Sequence, residues 1–201
     1  PKGLTDILEN YAQVVERKNE RTGRKKQEQI FPRYHQLDVV RKLLASAQQR
    51  GAGKRYLIQH SAGSGKSNSI AWLAHQLIGL QRNGQDIFDS IIVVTDRRVL
   101  DKQIKDTIRQ FAQVSATVGH ADRSSDLRKF LADGKKIIIT TVQKFPVVLK
   151  EIGDDHRGRT FAIIIDEAHS SQGGRTSAKM SMVLSKDGAE KEDETTEDRI
   201  N

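Results

Sequence analysis

Cysteine is absent from the 201-residue chain, which excludes a disulfide scaffold and any thiolate-held metal centre and fits a reducing cytoplasm. No apolar run approaches the ~20 residues that a membrane-spanning helix needs, and the opening residues Pro1-Lys2-Gly3-Leu4 carry no secretory pattern. Aromatic residues make up only 5% of the chain and are not interleaved with basic ones, which argues against a platform for stacking single-stranded bases. What is present is a globular balance, 36% hydrophobic and 30% charged, enough for one domain with a single core and extra segments at its ends.

The formal net charge is +8, unevenly distributed. From Lys186 to Asn201 there are seven acidic and three basic residues, a net of −4, which leaves +12 on residues 1–185. A basic body suits the phosphates of DNA or RNA, although a solubilising surface explains the same count.

Leu4, Ile7, Leu8, Tyr11, Val14 and Val15 have helical spacing and predict an amphipathic helix. Arg17 to Glu28 is almost wholly polar or charged and reads as a linker or arm, either solvated or laid against DNA. Beyond it the pattern alternates. Helices are expected over Gln36–Gln49, Ser67–Leu80, Arg97–Phe111 and from a Ser124 cap to Asp133, with a short one around Pro146. Strands are expected at Arg55–Gln59, Ile91–Val94, Thr117–Val118, Lys136–Thr140 and Phe161–Ile165. Aliphatic strands separated by helices imply a mainly parallel, doubly wound α/β sheet with helices on both faces. The expected division is an N-terminal helix and charged linker (1–30), an α/β lobe (31–175) and a charged tail or connection (176–201).

His60-Ser61-Ala62-Gly63-Ser64-Gly65-Lys66-Ser67 lies between an expected strand and an expected helix. Gly63 and Gly65 allow a tight turn that aims backbone amides at phosphate oxygens. Lys66 brings a positive charge to the β and γ phosphates, Ser67 offers a hydroxyl to Mg²⁺, and the helix start adds its partial positive charge. The general pattern G-x-x-x-x-G-K-[ST] has Gly where this chain has His60.

About a hundred residues later comes Ile163-Ile164-Ile165-Asp166-Glu167-Ala168-His169. Carboxylates at the end of a buried strand stand where open α/β sheets bind ligands. Asp166 would orient Mg²⁺ through water, Glu167 would polarise the attacking water, and His169 would sense the γ-phosphate.

Together these segments resemble motifs I and II of superfamily 2 helicases and translocases. Val94-Thr95-Asp96-Arg97-Arg98 and Thr140-Thr141-Val142-Gln143-Lys144-Phe145 are similar to the nucleic-acid motifs between them. With Arg33-Tyr34-His35-Gln36 upstream and Asp166-Glu167-Ala168-His169-Ser170-Ser171, the wording resembles the first motor domain of the R subunit of type I restriction-modification enzymes, over about Phe31 to Gly174. The resemblance implies a RecA-like fold, ATP and Mg²⁺ as cofactors, and Gln36 at the position of an adenine-reading glutamine. It implies nucleotide contacts from Ser61, Ala62, Gly63, Ser64, Gly65, Lys66 and Ser67, and duplex-DNA contacts from Thr95, Arg97, Arg98, Thr140, Thr141, Gln143 and Lys144. It further implies modification and specificity subunits as partners, and a second RecA-like lobe and a nuclease domain in a longer chain. ATP binding by this segment alone is then expected to be weak, with negligible turnover and no DNA cleavage. Another superfamily 2 helicase and a non-catalytic nucleic-acid-binding module are the alternatives. Trp72, Leu73 and Leu77 are expected to pack in the core.

Overall fold

The computed structural model describes residues 2–18, 23–61, 63–95, 104, 106–108, 118–121, 123–144 and 158–166. Four strands form one parallel sheet: β5 (Ser90–Thr95), β6 (Val118–His120), β7 (Ile137–Thr141) and β8 (Phe161–Ile165), in the order β6-β7-β5-β8. All four run the same way, so their carboxyl ends share one edge. Register sets Thr95 beside Thr141 and Val94 beside Ile165.

Successive side chains of these strands feed two separate cores, as a pleat requires. Ile91, Val93, Ile137 and Ile139 pack with Trp72, Ala74 and Leu77 on one face; Ile92, Val94 and Ile138 pack with Leu127 and Leu131 on the other. Burial on both faces explains why these strands read as unbroken aliphatic runs. The first face is covered by α2 (Tyr34–Arg50) and α3 (Lys66–Leu77), the second by α4 (Ser124–Ala132). The N-cap of α4 is Arg123, whose backbone N–H donates to the Asp126 carboxylate at 2.8 Å. Helix initiation is thus carried by the N3 carboxylate, one residue earlier than a Ser124 cap would set it. Trp72, Leu73 and Leu77 lie in the core as expected. Within the expected Arg97–Phe111 helix, 104 and 106–108 are helical and the remainder lies outside the described residues, as does the segment around Pro146.

Two expectations change. The helix at the N-terminus, α1 (Lys2–Asn10), stops before Tyr11, and the following stretch folds into an antiparallel hairpin of β1 (Gln13–Lys18) and β2 (Lys25–Ile30) where a linker was expected. Val15, 2% exposed, and the partly buried Ile30 anchor its base to the core, while Val14 points outward. Secondly, residues 55–59 join no ladder, and Leu57 is 91% exposed. The Tyr56 hydroxyl meets that of Ser46 on α2 at 2.9 Å, which ties the segment to the helix. A short hairpin of β3 (Gln81–Arg82) and β4 (Gln85–Asp86) turns through Asn83-Gly84, both with positive φ.

Candidate nucleotide-binding site

The phosphate loop opens α3. Gly65 is the N-cap, with φ +81° and ψ 37°, a conformation that L side chains strongly disfavour. Its carbonyl accepts the first helical amide bonds, from Asn68 at 3.0 Å and Ser69 at 3.3 Å. The amides of Lys66 and Ser67 are in the first turn and have no intrahelical acceptor, so they point their donors out of the helix start.

The loop is held from behind by the start of α2. Gln36, 3% exposed, donates from Nε2 to the carbonyls of Ser64 (3.1 Å) and Gly65 (3.0 Å), and its Oε1 accepts the backbone N–H of Arg33 at 2.8 Å. Next to it, His35 donates from Nε2 to the same Ser64 carbonyl at 3.1 Å. The His35 and His60 rings stand 5.5 Å apart at 57°. Burial, then the neighbouring His35 and Lys66, hold the His60 imidazole below its ordinary pKa, so it is neutral at physiological pH. Among the described residues, His60 Nε2 and Ser64 Oγ are buried without a hydrogen-bond partner.

The strand-end carboxylate is placed at the shared carboxyl edge. Asp166 is 8% exposed, its backbone N–H bonded to the Val94 carbonyl at 2.9 Å. Helix α3 packs against both β5 and β8, so the phosphate loop and Asp166 belong to one αβ layer. Among the described residues no three His, Cys, Asp or Glu side chains cluster tightly enough to hold a metal by themselves. A hydroxyl and a carboxylate, as on Ser67 and Asp166, are ligand types that a divalent ion takes when phosphate oxygens supply its other ligands.

Ser61 and Gly63 are exposed in the loop, Lys66 and Ser67 half-buried, while Ala62, Glu167 and His169 lie outside the described residues. Arg97, Arg98 and Phe145 also lie outside them. Of the residues expected to touch DNA, Thr95, Thr140 and Thr141 are buried, and the Thr95 hydroxyl donates to the Thr140 carbonyl at 3.4 Å. Lys144 donates its ammonium to the Ala121 carbonyl at 2.9 Å, and Gln143 is exposed. The sequence reading missed His35 and His60 as parts of the loop's support. Its signals were available: a His in the loop's first position, and Gln36 three residues after Arg33, where a helix N3 side chain reaches back to the N-cap amide.

A parallel sheet layered by helices, with a glycine-capped phosphate loop at one helix start and a buried Asp at a strand end, defines a RecA-like nucleotide-binding domain. Residues 35–188 match the model of the SWI2/SNF2 ATPase family, and the chain belongs to that family. It is 29% identical over 141 residues to the C-terminal part of the putative type I restriction enzyme MpnIIP endonuclease subunit, from Mycoplasma pneumoniae, over 65% of this chain and 63% of that one. It is 30% identical over 158 residues to the type I restriction enzyme HindI endonuclease subunit of Haemophilus influenzae, over 71% of this chain and 14% of the relative. Likewise, it is 31% identical over 121 residues to the type I restriction enzyme SsaAORF53P endonuclease subunit of Staphylococcus saprophyticus, over 58% of this chain and 12% of the relative. The chain thus spans a small part of two of these relatives and just under two thirds of the other. These relatives bear out the resemblance drawn from the phosphate loop and strand-end wording.

Proposed function

We propose that this domain is the ATP-binding motor lobe of a double-stranded DNA translocase within a type I restriction complex. The observation that supports it most directly is the loop held by Gln36 and His35 at the start of α3, with Asp166 buried on the same layer. Lys66 would set its charge against the β and γ phosphates of ATP; Ser67 and Asp166 would hold Mg²⁺, Asp166 through water. The ion, when bound, neutralises phosphate charge. Glu167 takes the proton of the attacking water, and His169 links the γ-phosphate to a second lobe in the same polypeptide, whose closure completes the site. Gln36 reaches the adenine edge with the acceptor capacity left on Oε1, since both its amide hydrogens are directed at the loop. Gln143 and Lys144, with Arg97 and Arg98, grip DNA phosphates without reading bases. Modification and specificity subunits load the duplex, and a nuclease domain cuts it after translocation.

The test is Mg-ATP hydrolysis by the full parent chain with its partner subunits, in the presence of linear duplex DNA, of RNA, and of neither. Lys66→Ala is the control. Hydrolysis stimulated by duplex and lost in the Lys66 variant is the expected result. Stimulation by RNA alone favours a helicase of another branch, and no Lys66-dependent hydrolysis favours a non-catalytic binding module.

A further inference from the structure

Helix α1 is fastened to both of the helices that carry the phosphate site. On α2, Arg41 donates from Nε to the Asp6 carboxylate of α1 at 3.0 Å, and its Nη2 bonds the same carboxylate oxygen and the Gly3 carbonyl. The other Asp6 oxygen accepts the Asn10 side-chain amide at 2.8 Å, so α1 itself holds the carboxylate in place for the arginine. On α3, the Trp72 indole donates to the Tyr11 carbonyl at 2.9 Å, and the Gln76 side-chain amide donates to the Asn10 carbonyl at 3.4 Å. The carbonyl of a helix's last residue has no donor within the helix. Thus α3 completes the end of α1 while α2 grips its middle, and Ile7 and Tyr11 supply the apolar side of the same contact.

The ties fall at matched positions. Arg41 is five residues beyond Gln36 on α2, and Trp72 is five residues beyond Ser67 on α3. Each lies about 7.5 Å further along its helix, at 1.5 Å per residue. Helices α2 and α3 are therefore joined twice. At their starts the join is Gln36, bonded to the Ser64 and Gly65 carbonyls; further on it is α1, bonded to Arg41 and Trp72. A slide or tilt of α2 against α3 must lengthen bonds at one join or the other. The Asp6–Arg41 pair is only half-buried, with side-chain exposures of 33% and 39%, and pairs of that kind add little to stability. Its larger effect is on placement, because it gives α1 one seat across the two helices.

We infer that Asp6 and Arg41 are positioning residues for the phosphate loop, acting through α2 on the Gln36 brace. This rests on the nucleotide-binding reading of the loop above. With α1 seated, α2 keeps Gln36 within 3.0 and 3.1 Å of the two loop carbonyls. With the pair broken, α2 gains freedom against α3, and the loop is less often in the form that receives phosphates. Bound nucleotide holds the loop through its own phosphates, so the deficit shows in affinity and fades at saturation. The coupling is reciprocal, so nucleotide must tighten the seat of α1 by the same factor.

The experiment uses the full parent chain with its partner subunits. Affinity for the fluorescent analogue mant-ATP, the KM and kcat of Mg-ATP hydrolysis, and the thermal midpoint are measured in each preparation. The variants are Arg41→Gln, Asp6→Asn, the exchanged pair Asp6→Arg/Arg41→Asp, and Gln36→Ala with and without Arg41→Gln. Lys42→Gln removes the exposed Asp38–Lys42 pair (2.9 Å) at the neighbouring position of α2 and should keep wild-type affinity. The expected result for Arg41→Gln and Asp6→Asn is affinity and KM weakened by about tenfold, with kcat within about twofold of wild type. The exchanged pair should regain most of the loss. Adding Arg41→Gln to Gln36→Ala should weaken binding no further, since both act on one brace, whereas losses at independent sites multiply. A lowered thermal midpoint with affinity and KM unchanged in Arg41→Gln would overturn the inference, and so would losses that multiply in the double variant. Hydrolysis that ignores duplex DNA while affinity follows the Asp6–Arg41 pair removes the translocase reading and leaves the positioning role. Duplex-stimulated hydrolysis with affinity indifferent to the pair does the reverse.

Discussion

Gln36 and Gly65 are locked together. The Gln36 amide donates to the Gly65 carbonyl at 3.0 Å, and a Cβ built on Gly65 would lie 2.5 Å from the same nitrogen. The glutamine thus occupies the volume that a side chain at residue 65 would need. Gln36→Ala removes both Nε2 bonds to the loop carbonyls and takes the acceptor from the Arg33 amide, leaving His35 alone on the Ser64 carbonyl, a loss of about 1–3 kcal/mol, or roughly 2–4 °C of thermal midpoint per kcal/mol. ATP affinity should fall in the same variant because the loop loses its brace. An unchanged thermal midpoint with lowered ATP affinity would mean that Gln36 acts on the nucleotide alone.

Gly63 and Gly65 separate backbone strain from steric conflict. Both have positive φ, +72° and +81°, but a Cβ on Gly63 meets nothing within 4 Å. Gly63→Ala should cost only the left-handed backbone penalty, about 1–2 kcal/mol. Gly65→Ala should cost that and the displaced Gln36 bonds, about 1–3 kcal/mol more. Chemical denaturation of the two variants side by side reads the difference, and equal losses would show that the glutamine yields without cost.

The central sheet was legible because β5 and β7 are buried on both faces and β8 is half-buried on both, which forces runs such as Ile91-Ile92-Val93-Val94. The phosphate loop was legible because its glycines and lysine serve one geometry. The N-terminal hairpin was not: Leu4, Ile7, Leu8 and Tyr11 are helical in spacing, and Val14 and Val15 fit that period as well as a strand's. Only tertiary packing, which buries Val15 and leaves Val14 57% exposed, decides between them. Arg55 to Gln59 shows the converse. Tyr56, Leu57 and Ile58 have strand composition, yet pairing depends on a neighbour's edge, which composition does not report. The β3–β4 turn had a local signal in Asn83-Gly84, passed over because its strands are two residues each. Gln36 was expected at the adenine edge from the resemblance alone; its hydrogen bonds to the loop carbonyls follow from the chain's path and not from its spacing.

Trp72 should report on the docking of the N-terminal segment. It is the single tryptophan of the 201 residues, 1% exposed, and its indole donates to the Tyr11 carbonyl at 2.9 Å with the two rings 6.0 Å apart. Native emission should therefore be blue-shifted and resistant to acrylamide. Tyr11→Ala leaves a cavity beside the indole at a cost of about 3–5 kcal/mol, and should shift emission to the red with stronger quenching. A wild-type spectrum typical of solvated tryptophan would contradict the docking of α1 and the hairpin on α3.

Acid should destabilise the fold through two histidines whose pKa values are lowered. Burial holds His75 below its ordinary 6.5, opposed in part by its bond to the Ile108 carbonyl at 2.9 Å; burial, His35 and Lys66 lower His60 in the same sense. In the unfolded chain both titrate near 6.5, so below that pH the unfolded state binds more protons than the native one. Stability is therefore full above 6.5 and is lost as pH falls from 6.5 through the lowered native values. His75→Leu removes one such proton, so the slope of stability with pH in that window should fall by up to about 1.4 kcal/mol per pH unit. Denaturant midpoints measured at intervals from neutral to acid pH give the slope directly. ATP phosphates beside the loop would favour protonated His60, so saturating nucleotide should flatten the His60 contribution and leave that of His75 intact. A slope unchanged by His75→Leu would show that this imidazole titrates in the native state as freely as in the unfolded chain.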